Sequence, residues 1–270
     1  MMFSLAATVA LVLSASQVES DSERIQDGFR VTDIGPSLTV VADTEYGTNI
    51  GLFEKDGAIL LIDPMPGEER LVALAELIKD SASGQVDCIL NTHNHEDHSG
   101  GNAFFAANGA AIAEVSLEVC NAVFSESVQL ITVQSHTDED ILVFVPEAST
   151  LFVGDVFDNS WHPTFYAGGL PGLNQAIDII VDLANDGALI VPGHGRPAKA
   201  DVVTQFRDNT VEWVTLIKRL HEAGMTVEQI MNVPEVEVAL QRFNTERRDP
   251  FIPQRAYSRF VERTVEIISG

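Results

Sequence analysis

Apolar positions recur along this chain in two periods, and the two periods take turns. Residues 38–43 (LTVVAD), 48–55 (TNIGLFEK) and 58–64 (AILLIDP) are short runs rich in β-branched side chains, with turn formers at Gly35-Pro36 and Asp56-Gly57. Runs of this kind bounded by Gly, Pro and Asp predict strands. Residues 68–79 (EERLVALAELIK) instead space their apolar positions by three and four, which predicts a helix. The alternation then continues through a strand at 86–91, a helix at 102–107, and strands at 128–133 (VQLITV), 140–146 (DILVFVP) and 150–155 (TLFVGD). A helix at 173–184, a buried strand at 188–192 (ALIVP), a long amphipathic helix at 201–223 and a helical tail at 253–268 complete the pattern. Strands alternating with helices predict an α/β protein in layers, with helices covering sheet faces. No repeat, low-complexity tract or linker interrupts it, so residues 21–270 are expected to form one domain.

The polar segment after strand 86–91 reads Thr92-His93-Asn94-His95-Glu96-Asp97-His98-Ser99-Gly100-Gly101. Residues two apart in an extended chain point the same way, so His93 and His95 can grip one ion, and a following bend sends Asp97 and His98 to a neighbouring position. Imidazole and carboxylate suit zinc at about 2.0–2.2 Å. Gly100 and Gly101 are expected to let the backbone turn tightly beside the ions. His136 stands before strand 140–146, Asp155 ends strand 150–155, and His194 follows strand 188–192. These are strand-end positions, where α/β folds place their sites.

In this order, Thr92-His93-x-His95-x-Asp97-His98, His136-Thr137, Gly154-Asp155 and Gly193-His194-Gly195 resemble the metallo-β-lactamase-fold hydrolases, over roughly residues 31–223. That resemblance implies an αβ/βα four-layer sandwich, two mixed β-sheets flanked by helices. It also implies two Zn2+ ions. His93, His95 and His136 would hold the first, Asp97, His98 and His194 the second, and Asp155 would bridge them. A related redox branch uses iron and places a carboxylate where this chain has His95, which favours zinc here. Three neutral imidazoles would leave the first ion acidic enough to ionise water near neutral pH, and a second ion could stabilise the leaving group. The expected reaction is attack of hydroxide on a carbonyl carbon, with Asp97 orienting the nucleophile as well as binding metal.

Substrate class is read from smaller features. A secreted hydrolase opening a cyclic amide of the β-lactam type stands first, a lactone or thioester hydrolase similar to glyoxalase II is the alternative, and a non-catalytic metal-binding protein comes last. Against the first, many dedicated β-lactamases of this fold carry Cys or Ser where this chain has Asp155. Against the second, glyoxalase II acts inside cells and has a helical C-terminal domain with basic residues, whereas the tail here is short. Trp161, His162, Phe165 and Tyr166 are expected to wall a substrate pocket, with 47–49 and Met65-Pro66 as further rims. His221 is expected to be a surface or packing histidine.

Composition changes this picture in three places. The formal charge of −24 disfavours a nucleic-acid substrate and leaves a small molecule as the expected partner. The apolar run 3–15 (FSLAATVALVLSA) with small residues after it resembles a secretory leader over residues 1–20. That predicts a periplasmic or secreted protein with no membrane anchor after processing. Cys88 lies in a predicted strand and Cys120 in a predicted helix, and their pairing is left open by the sequence.

Overall fold

The computed structural model describes residues 23–44, 47–82 and 84–269, so the expected leader at 1–20 lies outside the described residues. Seven strands form one sheet in chain order: β1 (Glu23–Gln26), β2 (Phe29–Asp33), β3 (Leu38–Asp43), β4 (Asn49–Lys55), β5 (Ala58–Ile62), β6 (Val86–Leu90) and β7 (Ala111–Ala113). The first five run antiparallel, and β5, β6 and β7 are parallel. Parallel neighbours need crossovers. These are α1 (Glu68–Ser81) and the short helices α2 (Glu96–Ser99) and α3 (Asn102–Ala107).

A second sheet is ordered β11 (Leu189–Pro192), β10 (Thr150–Gly154), β9 (Asp140–Val145), β8 (Gln129–Val133), preceded in the chain by α4 (Ala122–Ser127). Only β10 and β11 are parallel, joined through α5 (Gly169–Leu183). The chain closes with α6 (Ala200–Glu222), α7 (Val227–Met231), α8 (Pro234–Gln241) and α9 (Gln254–Ser269). Among the described residues no helix is long and apolar enough to cross a membrane.

Side-chain alternation explains the layers. Leu60 and Ile62 of β5 point between the sheets, where they share a cluster with Val143, Val145 and Phe152. Ile59 and Leu61 point the other way, onto Leu71, Leu74, Leu77 and Ile78 of α1. Burial on both faces is why β5 reads as an unbroken apolar run. On the far face of the second sheet, Leu142, Leu151 and Val153 meet Leu173, Ile177 and Ile180 of α5 and Val203, Trp213 and Ile217 of α6. Trp213 is fully buried, stacks on Phe260 of α9 at 4.2 Å, and donates its indole N–H to Thr264. This is the αβ/βα arrangement expected from the sequence.

Some expectations are corrected. Helix α5 starts at Gly169, four residues before the expected 173. Its Gly-Leu-Pro-Gly opening reads as loop, yet proline is tolerated in a first turn. A side chain at Gly172 would sit 2.3 Å from the Gln134 carbonyl, so the glycine lets this turn lie against the His136 loop. Cys120 occupies a bend ahead of α4, whose N-cap is Asn121. It is paired with Cys88 of β6, Cα to Cα 5.6 Å.

Candidate metal centre

All seven expected ligands converge at one end of the two sheets, on the loops after β6, β8, β10 and β11. They form two groups sharing Asp155. His93, His95, His136 and Asp155 make the first, and Asp97, His98, Asp155 and His194 the second, with the ligand atoms of each group within 4.8 Å of one another.

In the first group His95 Nδ1 lies 3.1 Å from His93 Nε2 and 2.9 Å from His136 Nε2. Asp155 Oδ2 is 3.9 and 3.6 Å from those two Nε2 atoms. In the second group Asp155 Oδ1 is 3.1 Å from His98 Nε2 and 3.7 Å from His194 Nε2, and Asp97 Oδ2 is 3.2 Å from His194 Nε2. Ligands about 2.0–2.2 Å from one tetrahedral ion sit about 3.3–3.6 Å apart, so both groups have the right span. His98 Nε2 and Asp155 Oδ1 are buried and have no hydrogen-bond partner. Buried polar atoms are ordinarily satisfied, and a divalent cation would satisfy both. The residues present fit such ions.

Neighbouring acceptors set the histidine tautomers. His136 Nδ1 is 2.8 Å from the Thr164 carbonyl, which only accepts, so Nδ1 carries the proton and Nε2 keeps a free lone pair. His98 Nδ1 faces Asp63 Oδ2 at 3.0 Å, to the same effect. The Thr92 hydroxyl donates to Asp63 Oδ2 at 2.7 Å, leaving its oxygen to accept from His93 Nδ1 at 3.2 Å. Thus Asp63 fixes His98 directly and His93 through Thr92.

Charge is shared out accordingly. Burial pushes His93 down to about 3, so it is neutral and ready to ligate. Burial would also lower His194, but its bond with Asp97 and the carboxylates of Asp155 and Asp158 outweigh that and raise it to about 9. The same bond holds Asp97 down to about 2. His98 is raised well above the usual range because Asp155 and Asp63 overcome its burial. Without ions the second group therefore holds protons in their place, and a bound cation would displace them.

Three carboxylates in this support were not singled out from the sequence. Asp63 ends β5 and also accepts the Thr92 N–H at 2.7 Å. Asp140 braces the His136 loop by accepting the N–H groups of Ser135 and Thr137 and the Thr137 hydroxyl. Asp158 accepts the His194 N–H at 3.0 Å, and burial next to Asp155 raises it to about 8. Their positions, on or beside ligand-bearing loops, were the available signal.

The expected substrate wall is largely corrected. Phe165 is buried in the cluster behind the second sheet, and His162 is buried with its ring stacked on Phe260 at 4.5 Å. Trp161 packs on the same cluster and stacks on His162. Only Tyr166 reaches the site, its ring 6.5 Å from that of His136. Met65 is buried and forms no rim. Residues 47–49 lie beside the ligands: a side chain at Gly47 would sit 3.7 Å from His194 Nδ1, Thr48 donates to the Asp97 carbonyl, and the Asn49 amide donates to those of Pro192 and Gly195. Gly100 and Gly101 have ordinary negative φ. What they allow is close approach, since side chains there would sit 2.6 Å from Pro66 and 2.7 Å from the Pro64 and Met65 carbonyls. His221 is exposed on the last turn of α6.

The profile of the Metallo-beta-lactamase superfamily matches residues 43–118. Among curated proteins, "Probable hydroxyacylglutathione hydrolase glo2" of Schizosaccharomyces pombe is 25% identical over 158 residues, 52% of this chain and 60% of that one. A hydroxyacylglutathione hydrolase of Prochlorococcus marinus is 29% identical over 137 residues, 44% of this chain and 50% of its own. The chain thus spans between half and three fifths of the curated relatives it matches. Among solved structures, the metallo-beta-lactamase DIM-1 gives a TM-score of 0.55 at 14% identity, over 67% of this chain and 95% of that one. The metallo-beta-lactamase FIM-1 from Pseudomonas aeruginosa, in its mono-zinc form, gives 0.55 at 19%, over 67% and 96%. At these identities the solved structures speak to fold alone. From the sheet order, the converging ligands and the matched segment together, the chain has the metallo-β-lactamase fold, and its residues 43–118 match the superfamily's profile.

Proposed function

We propose that this protein is a hydrolase dependent on two divalent ions, with zinc as the fitting metal, and that it cleaves acyl thioesters or the related oxygen esters. The observation that carries this is Asp155, whose carboxylate places one oxygen in each ligand group. A bridging carboxylate supports a paired site. Its chemistry, together with the hydroxyacylglutathione hydrolases among the relatives, favours the thioester alternative over the cyclic amide. When bound, the ions would lower the pKa of water and polarise a carbonyl.

The chain's own residues do the rest. Tautomer control by Asp63, Thr92 and the Thr164 carbonyl keeps one ring proton on the nitrogen facing away from the centre, so that His93 and His136, and His98 once its second proton leaves, aim a lone pair inward. Asp97 is held too low to be a strong base, so its part is ligation and orientation of the attacking water from a half-exposed position. Tyr166 offers a phenol beside the centre, and burial, against the nearby Arg259 and Arg263, pushes it up to about 12, so it stays a hydrogen-bond donor. Arg263, paired with Glu266 at 2.9 Å, stands 5.8 Å over the Tyr166 ring, and Arg259 lies near the same phenol; cationic groups on this rim of an acidic chain support an anionic acyl substrate.

We further propose export, supported by the Cys88–Cys120 pair, since disulfides persist in oxidising compartments. The main reading is tested by assaying metal-loaded and chelated protein against a hydroxyacyl-glutathione thioester, a homoserine lactone and a β-lactam. Thioester turnover should dominate, and chelation or Asp155→Ala should abolish it. Dominant β-lactam turnover would refute the substrate class, and full activity after chelation would refute the metal.

A further inference from the structure

The segment from Asp155 to Ser160 does two jobs. Its first residue lends an oxygen to each ligand group, and its later residues grip the peptide of His194, a ligand from a different strand end. Asp158 Oδ1 accepts the His194 N–H at 3.0 Å, and the Asn159 N–H donates to the His194 carbonyl at 2.9 Å. The fit leaves no slack: a side-chain carbon at Gly193 would lie 2.0 Å from Asp155 Oδ1, and one at Gly195 would lie 2.1 Å from the Asn159 carbonyl.

The far end of the segment is tied down too. Thr245 donates to the Asn159 side chain at 2.9 Å, and the Glu246 N–H to the Ser160 hydroxyl at 3.1 Å. Ser160 holds a left-handed backbone there, φ 65°. Asp158 itself is 3% exposed, and its one hydrogen bond among the described residues is to His194. Burying a carboxyl for one neutral bond is costly, so the bond has to fix something of local value.

We infer that Asp158 is a positioning residue that sets the span between Asp155 and His194, and so tunes the affinity of the second ligand group without affecting the first. The inference rests on the reading that these groups hold ions. It is selective because the one hydrogen bond of Asp158 among the described residues goes to His194, a ligand of the second group alone. Partners that orient metal ligands are typically worth about 10–100-fold in metal affinity.

The test is stepwise titration of metal-free protein with Zn2+ by calorimetry, and with Co2+ by its visible absorption. Asp158→Ala should weaken the second binding step by about 10–100-fold and leave the first within about twofold. Asp158→Asn keeps an acceptor oxygen for the His194 N–H and should restore the second step. Equal weakening of both steps, an unchanged second step in Asp158→Ala, or Asp158→Asn as weak as Asp158→Ala would each overturn the role. If Asp158→Ala fails to fold, Thr245→Ala carries the test from an exposed position. A weaker second step is expected there, and an unchanged one would overturn the proposal. Wild-type protein that binds no ion would instead refute the metal-centre reading itself.

Discussion

Replacing Asp63 by Asn tests how the ligand nitrogens are kept bare. Asp63 is buried at φ 55°, a conformation Asn adopts readily, so backbone and shape survive the change. What changes is donor and acceptor logic. One carboxylate oxygen accepts the Thr92 N–H at 2.7 Å, and the other accepts the Thr92 hydroxyl and faces His98 Nδ1. An amide serves only one side. With its oxygen toward the Thr92 N–H, its NH2 confronts His98 Nδ1, which must give up its proton. The proton then sits on Nε2, the atom aimed at the second group. The opposite orientation sets NH2 against a buried N–H, at a cost of about 1–3 kcal/mol.

The expectation for Asp63→Asn is therefore a fold that persists with a second ion bound about 10–100-fold more weakly. Asp63→Ala strands all three donors, a loss of about 3–9 kcal/mol at about 1–3 kcal/mol each. That rivals the whole stability of an ordinary domain, about 5–15 kcal/mol. Metal titration and urea denaturation measure the two quantities. Asp63→Asn with wild-type affinity at both steps would refute the tautomer argument.

Other expectations follow from the same geometry. Burial depresses His162 to about 4, below its unfolded 6.5, so the fold favours the neutral ring. Its stability is intact above pH 6.5 and is lost as pH falls toward 4, by up to about 3 kcal/mol; His162→Phe should flatten the melting-temperature profile of metal-free protein in that window. Gly193→Ala drives a methyl into Asp155 Oδ1, so second-ion binding should fall sharply in the same calorimetric titration. Cys120→Ser opens a 32-residue link, worth about 3–4 kcal/mol on a chain-entropy account, and reductant should lower the wild-type melting temperature but not that of the variant. Truncating Trp213 to Ala should cost about 3–5 kcal/mol in denaturant, because it is fully buried against Phe260.

Elements with strong periodicity were legible in the sequence. The expected helix 102–107 coincides with α3, and strands β3, β5 and β9 to β11 fall within a residue or two of their expected bounds. Strand β1 was not, because Glu23–Gln26 carries one apolar residue, Ile25, and that residue is exposed. Helices α7 and α8 are too short to show a period, and only the capping box at Thr226 and Gln229 marks the first. At the centre, His93 to His98 could be read because their grouping is local. Asp63, Asp140 and Asp158 could not, being lone acids among 40 acidic residues whose value lies in what folds against them. Trp161, His162 and Phe165 misled for a related reason. They follow Asp155 closely in sequence, but α9 arrives from the far end of the chain and stacks its Phe260 on His162, which in turn stacks with Trp161.

Each half of the centre straddles the seam where the two sheets meet. His93, His95, Asp97 and His98 come from the loop after β6 of one, and His136, Asp155 and His194 from the other. Neither sheet on its own offers a finished cage, so each ion would work as a rivet through both plates. Stripping the metal would then loosen the joint between the two halves of the molecule rather than a single loop, and assembly could be completed only after the plates had come together.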